Sequence, residues 1–190
     1  MLDLLTVSLE TARQAFRNDH NTMKNLNIVA VIGLILGGVL GMAGTFVPEP
    51  SLRSVFWGID GLGLIVATTI LALRYFRAGK DAFAVGFLIY AIGESLMLSA
   101  TAQPLDAMVP AFGAGLALWA TALLLTSIPS GFPFWVRLAS VIGAIVFATT
   151  SARIFWGERI LATAAPLPAL GYPFLVLAFA GWIWSLVKER

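Results

Sequence analysis

Phe83–Ala102 reads FAVGFLIYAIGESLMLSATA. A helix of that length crosses a hydrocarbon core of about 30 Å. The stretch is apolar except for a few hydroxyls and one carboxylate, Glu94, set well inside it. A charge at that depth costs at least about 2.5–3.5 kcal/mol on insertion, so Glu94 is expected to face protein or water and not lipid. The other helices are expected to pack around that constraint.

The rest of the chain supports a membrane setting. Of 190 residues, 59% are hydrophobic and 12% charged, and the mean hydropathy is +0.89. Soluble domains are about 45–50% apolar and about 25% charged. Too little polar surface remains here to face water. Five further stretches are of spanning length: Asn27–Phe46, Val55–Leu73, Ala107–Leu125, Phe134–Ile154 and Leu167–Val187. The charge-free run from Ala107 to Val136 is split at Ser127–Pro133, SIPSGFP, because two prolines and a glycine make a turn. Left unbroken, that run would be a helix of about 45 Å, too long for a bilayer. Pro166, Pro168 and Pro173 crowd the last span, which is expected to become regular only near Tyr172. The expected fold is all-α: a polytopic bundle of six transmembrane helices over residues 26–190, with short loops and antiparallel neighbours.

Residues 1–25 precede that domain. Leu2, Leu5, Leu9, Ala12 and Phe16 recur at helical spacing, and Asp3, Glu10, Arg13 and Arg17 lie mostly on other faces. This reads as an amphipathic helix in the interface or docked on the bundle, followed by a polar break at His20, Asn21 and Asn25. It lacks the basic start, apolar run and small-residue site of a signal peptide.

Lysines and arginines set the expected orientation. With the N-terminus inside, Arg13, Arg17, Lys24, Arg74, Arg77, Lys80, Arg137, Lys188 and Arg190 are internal, and Arg53, Arg153 and Arg159 external. That asymmetry places both termini in the cytoplasm of a plasma (bacterial inner) membrane protein. Arg137 is expected to snorkel at the start of its span. Trp57, Trp135, Trp156, Trp182 and Trp184 fall near span ends, where aromatic belts form.

Several chemistries are excluded by composition. The chain has no cysteine and one histidine, His20. That removes thiolate metal sites, cysteine nucleophiles and a histidine-rich zinc site. No cofactor is expected. The net charge of +2 is too small for a nucleic-acid footprint. Gly61-Leu62-Gly63 lies in a span with no strand before it, so it is no dinucleotide fingerprint.

Two constellations remain. Gly33, Gly37 and Gly41 repeat every four residues and line one face of the first span. Such a face lets another backbone approach closely, either within the chain or in a second copy. Asp60 and Glu94 are the intramembrane acids, roughly 8 Å and 12 Å below the outer ends of their spans. Arg153, at the outer end of the fifth span, is expected within reach of Asp60, so the three are a candidate polar pocket opening outward. The segments Phe56-Trp57-Gly58 and Phe155-Trp156-Gly157 are alike, but a three-residue match is treated as chance.

Three functions compete on these residues. The first is a non-catalytic membrane protein acting by association in the lipid bilayer, as a helper subunit of a partner membrane protein or as a homo-oligomer. The glycine face, the N-terminal amphipathic helix and the poverty of reactive residues favour it, and it is the function expected from the sequence. The second is a carrier or channel for protons or a small solute, using Glu94 with Asp60 and Arg153. The third is an enzyme on lipid substrates with Asp60 and Glu94 as acid and base, which no nucleophile or metal cluster supports.

Overall fold

The computed structural model describes residues 23–188. Every regular element among them is a helix. The helices are α1 (Met23–Phe46), α2 (Pro50–Arg77), α3 (Asp81–Ala100), α4 (Val109–Ser127), α5 (Phe134–Phe155) and α6 (Tyr172–Lys188). The first five are long and apolar enough to cross a membrane, and α6 is a shorter apolar helix of 17 residues. The amphipathic segment expected over residues 1–25 falls outside the described residues up to 22. Asn25, expected in a polar break, is part of α1.

Each helix packs on the next in chain order, and α6 returns to touch α1. The bundle therefore alternates up and down and closes on itself. One end carries Met23, Lys188 and the turns at 78–80 and 128–133; we call it proximal. The distal end carries the connections at 47–49, 101–108 and 156–171.

Local sequence explains the ends. Glu49 caps α2, its carboxylate accepting from the backbone N–H groups of Ser51 and Leu52, with Pro50 in the first turn. Those N–H groups, Leu52 foremost, hold the Glu49 carboxyl below its ordinary range, so the cap persists above that lowered value and is lost as pH falls through it. Gly79 (φ +65°) and Gly157 (φ +96°) close α2 and α5. In both cases the following N–H bonds back to a carbonyl of the last turn: Lys80 to Tyr75 O and Glu158 to Arg153 O. Arg53 donates to Val47 O from the first turn of α2, at 2.7 Å from Nη2. Arg137 does the same for Ser127 O, at 2.6 Å from Nε. Each guanidinium so satisfies the C-terminal carbonyls of the preceding helix. Arg137 thus also caps the helix that precedes it.

The core is aromatic. Tyr90 stacks on Trp119 with centroids 5.2 Å apart, and Phe87 meets Trp182 edge-on at 4.8 Å. Trp182, expected in an interfacial belt, is only 1% exposed, because Leu175, Ala178, Phe179, Trp182 and Leu186 form the inward stripe of α6. Trp135, Trp156 and Trp184 do lie on the surface. So do many large aliphatics, Leu62 and Ile145 at 60% exposure among them. Aliphatic surface on helices this long and apolar requires lipid contact, and the protein is a membrane-embedded helical bundle.

Helices in lipid gain little from burying apolar surface, so close backbone approach matters more. The seam between α1 and α2 has this character. A Cβ on Gly33 would run into Gly63 O, one on Gly37 into Leu64, one on Gly41 into Asp60 and one on Gly44 into Trp57. From Gly37 to Gly41 to Gly44 each step up α1 is answered by an equal step back along α2, from Leu64 to Asp60 to Trp57, which is the register of an antiparallel pair. The glycine face is therefore occupied by α2 of the same chain.

Gly33→Leu is expected to lower the thermal midpoint in detergent by several degrees, since overpacking costs about 1–3 kcal/mol. Gly58 has no neighbour that a Cβ would meet. Gly58→Ala is expected to leave the midpoint unchanged or raise it slightly. Circular dichroism melts of the two variants, compared with wild type, check both.

Candidate functional site: a buried pair of carboxylates

The α1–α2 seam opens at its distal half into a cavity between α1, α2, α3, α4 and α6. About 70 Å³ of it is open to water centres, where a single water needs about 10–15 Å³. Asp60 and Glu94 both line it. Asp60 is 8% exposed and Glu94 4%. The two carboxylates are close enough to repel each other when both are ionised.

Glycines make the room. A Cβ on Gly41 would lie 2.7 Å from Asp60 Oδ2, and one on Gly61 3.3 Å from Glu94 Oε1. Glu94 therefore reaches from α3 to the backbone beside Asp60. Opposite Asp60, α1 departs from α-geometry. Gly37–Gly41 form a π-helical turn, and Gly37, Gly38 and Gly41 all line the cavity. Such widened turns occur often at functional sites. Gly41 O accepts from Thr45 Oγ1 at 3.0 Å and from Trp57 Nε1 at 3.3 Å.

The remaining wall is aromatic and apolar: Trp57, Phe112, Trp119, Tyr172 and Phe179, with methionines and leucines. Tyr172 donates its hydroxyl to Ala162 O at 2.8 Å, so the 156–171 connection closes part of the distal side. The Trp119 indole N–H faces the Glu94 carboxylate outside hydrogen-bonding geometry. Asp60 Oδ1, Glu94 Oε2 and Trp119 Nε1 are buried without a hydrogen-bond partner among the described residues. Tyr90, one turn before Glu94 and stacked on Trp119, has an unpartnered hydroxyl as well. Buried polar atoms are nearly always paired. Several orphans around one cavity therefore call for an explanation in terms of function.

Among the described residues no lysine, arginine or histidine lines the cavity. Arg153, expected to join the acids, stands apart. It is at the exposed end of α5 and forms a two-pronged ion pair with Glu158, with Nη2 to Oε2 at 2.6 Å. The reason is local. Gly157 turns the chain so that Glu158 folds back over Arg153, where a carboxylate in water is a nearer partner than one across the bundle. Among the described residues no cluster of three or more acidic or histidine ligands could hold a metal.

Sequence reasoning thus finds Asp60 and Glu94 but not Trp57, Trp119, Tyr172 or the π turn around them. Trp119 had a signal. It is a tryptophan in the middle of a span, where interfacial anchoring does not apply. The paired Phe-Trp-Gly segments sit in unlike settings: Trp57 lines the cavity, while Trp156 is 87% exposed.

A carboxylate buried without a partner costs stability, whereas a structural one contributes it. Glu94→Gln is therefore expected to keep or raise the thermal midpoint in detergent. A fall of more than about 2–4 °C, near 1 kcal/mol for a chain of this size, would mark Glu94 as structural. Comparison with known protein families, characterised proteins and solved structures yields no match.

Proposed function

We propose that the protein is a membrane carrier for a cation, either a proton or a small positively charged solute, with Glu94 and Asp60 as its binding pair. The observation that carries this reading is the cavity that holds both carboxylates with no basic residue among the described residues of its wall. Ionisable groups held inside a membrane bundle commonly mark ion and proton paths. The competing reading, a non-catalytic helper acting by association, drew on the glycine face, and α2 covers those glycines. The lipid-enzyme reading gains no nucleophile from the surroundings of the two acids.

The orientation proposed with it has both termini in the cytoplasm of a bacterial inner membrane. Lys24, Arg74, Arg77, Lys80, Arg137 and Lys188 are at the proximal end, against Arg53, Arg153 and Arg159 at the distal end. Basic residues favour the cytoplasmic side. The cavity then lies in the outer half of the bundle, on the side from which a solute is taken up.

In proteoliposomes, pH-gradient-driven proton flux is expected for the wild type and lost in Glu94→Gln and in Asp60→Asn. Unchanged flux in both variants would remove the acids from the mechanism. The natural chain has no cysteine, so single substitutions report topology cleanly. Gln103→Cys is expected to react with an impermeant maleimide on intact spheroplasts, and Ala78→Cys only after lysis. The reverse pattern would invert the orientation.

A further inference from the structure

We infer that the cavity binds a small organic monocation, of the ammonium or guanidinium class, between the two carboxylates and the apolar wall around them. The inference rests on the carrier reading and adds the chemical class of what is carried.

The wall chemistry separates the candidates. Among the described residues the wall carries two acids and no base, which disfavours an anion. A hard metal ion takes about six to eight oxygens at close range. Besides the two carboxylates, the side-chain oxygens of the described wall are the hydroxyls of Thr45, Thr101 and Tyr172, which donate to Gly41 O, Leu98 O and Ala162 O. The rest of the lining is aromatic and aliphatic carbon, with Trp57 and Trp119 on it. Such a largely carbon surface matches an organic cation better than a dehydrated metal. Carboxylates neutralise the charge, and methionine and leucine cover the alkyl groups. Size agrees. The 70 Å³ of the cavity takes about five waters, and tetramethylammonium or guanidinium is of that bulk.

The cavity has a neighbour on the distal side. A second depression, of about 600 Å³, lies between the first turn of α2 and the 101–108 connection. It shares Trp57, Thr101 and Met108 with the inner cavity, so these three form the partition between them. Arg53 lies 5.9 Å from the Trp57 ring centroid and steadies it on the outer side. Met108 is unbranched and readily changes rotamer, which suits it to a partition that must yield.

The test is equilibrium binding of tetramethylammonium and of guanidinium to detergent-purified protein, read by intrinsic tryptophan fluorescence and by calorimetry. Saturable binding is expected, weakened about tenfold or more by Asp60→Asn and abolished by Glu94→Gln. Trp135→Phe, on the exposed surface, is the control for signal and folding. Glu94→Asp keeps the charge and is expected to retain weakened binding if Glu94→Gln does not fold. No saturable binding to folded wild-type protein, or equal competition by sodium at the same concentration, would overturn the inference. Proton flux that needs Glu94 but is blind to both cations would sink the ligand class and leave the carrier standing. Glu94-dependent binding without any flux would keep the ligand class and remove the carrier.

Discussion

Two carboxylates share a space inside the bundle, screened from lipid by five helices and two distal connections. Asp60 and Glu94 sit on adjacent helices, each more than nine-tenths buried, and no cationic residue among the described ones lines their cavity. Desolvation and mutual repulsion both act against the folded state there. The surrounding bundle has to hold them in place by other means. It does so with close backbone contact on one side, where α1 lies against α2, and with stacked rings on the other, where Tyr90, Trp119, Phe179 and Trp182 interlock.

The fold was largely legible in the chain because bilayer thickness is such a strict ruler. Spanning length, missing charge and the SIPSGFP turn located α2 to α5 to within a few residues at most ends. Ends that drift do so for local reasons. α2 runs from Pro50 to Arg77 because a capping carboxylate and a closing glycine lie outside its apolar stretch. α6 starts at Tyr172 because Pro166 and Pro168 hold the preceding chain in turns. What periodicity could not supply was the pairing of faces. Four glycines on α1 announce a close neighbour without saying which, and only the antiparallel register with α2 assigns it.

The site was half legible for a related reason. A carboxylate inside a greasy segment stands out, and Asp60 and Glu94 both did. Their companions did not, since an aromatic within a span reads as core. Arg153 misled because distance along the helix axis says nothing of the nearer acid. Glu158, five residues on and brought back by one glycine, was the closer partner. Trp182 shows the same limit: proximity to a span end suggested a belt, while its place on the inward stripe of α6 puts it at the centre.

The partition residue Trp57 and the acid Asp60 are three positions apart on one helix, both braced against the same turn of α1. A rigid segment cannot displace one without displacing the other. In the carrier proposed here, any sliding of α2 along α1 that swung the indole aside would also carry the carboxylate with it, so admission and capture would become a single mechanical event. A solute would then meet a moving anchor, and the tightness of its hold would vary with how far the entrance stands ajar.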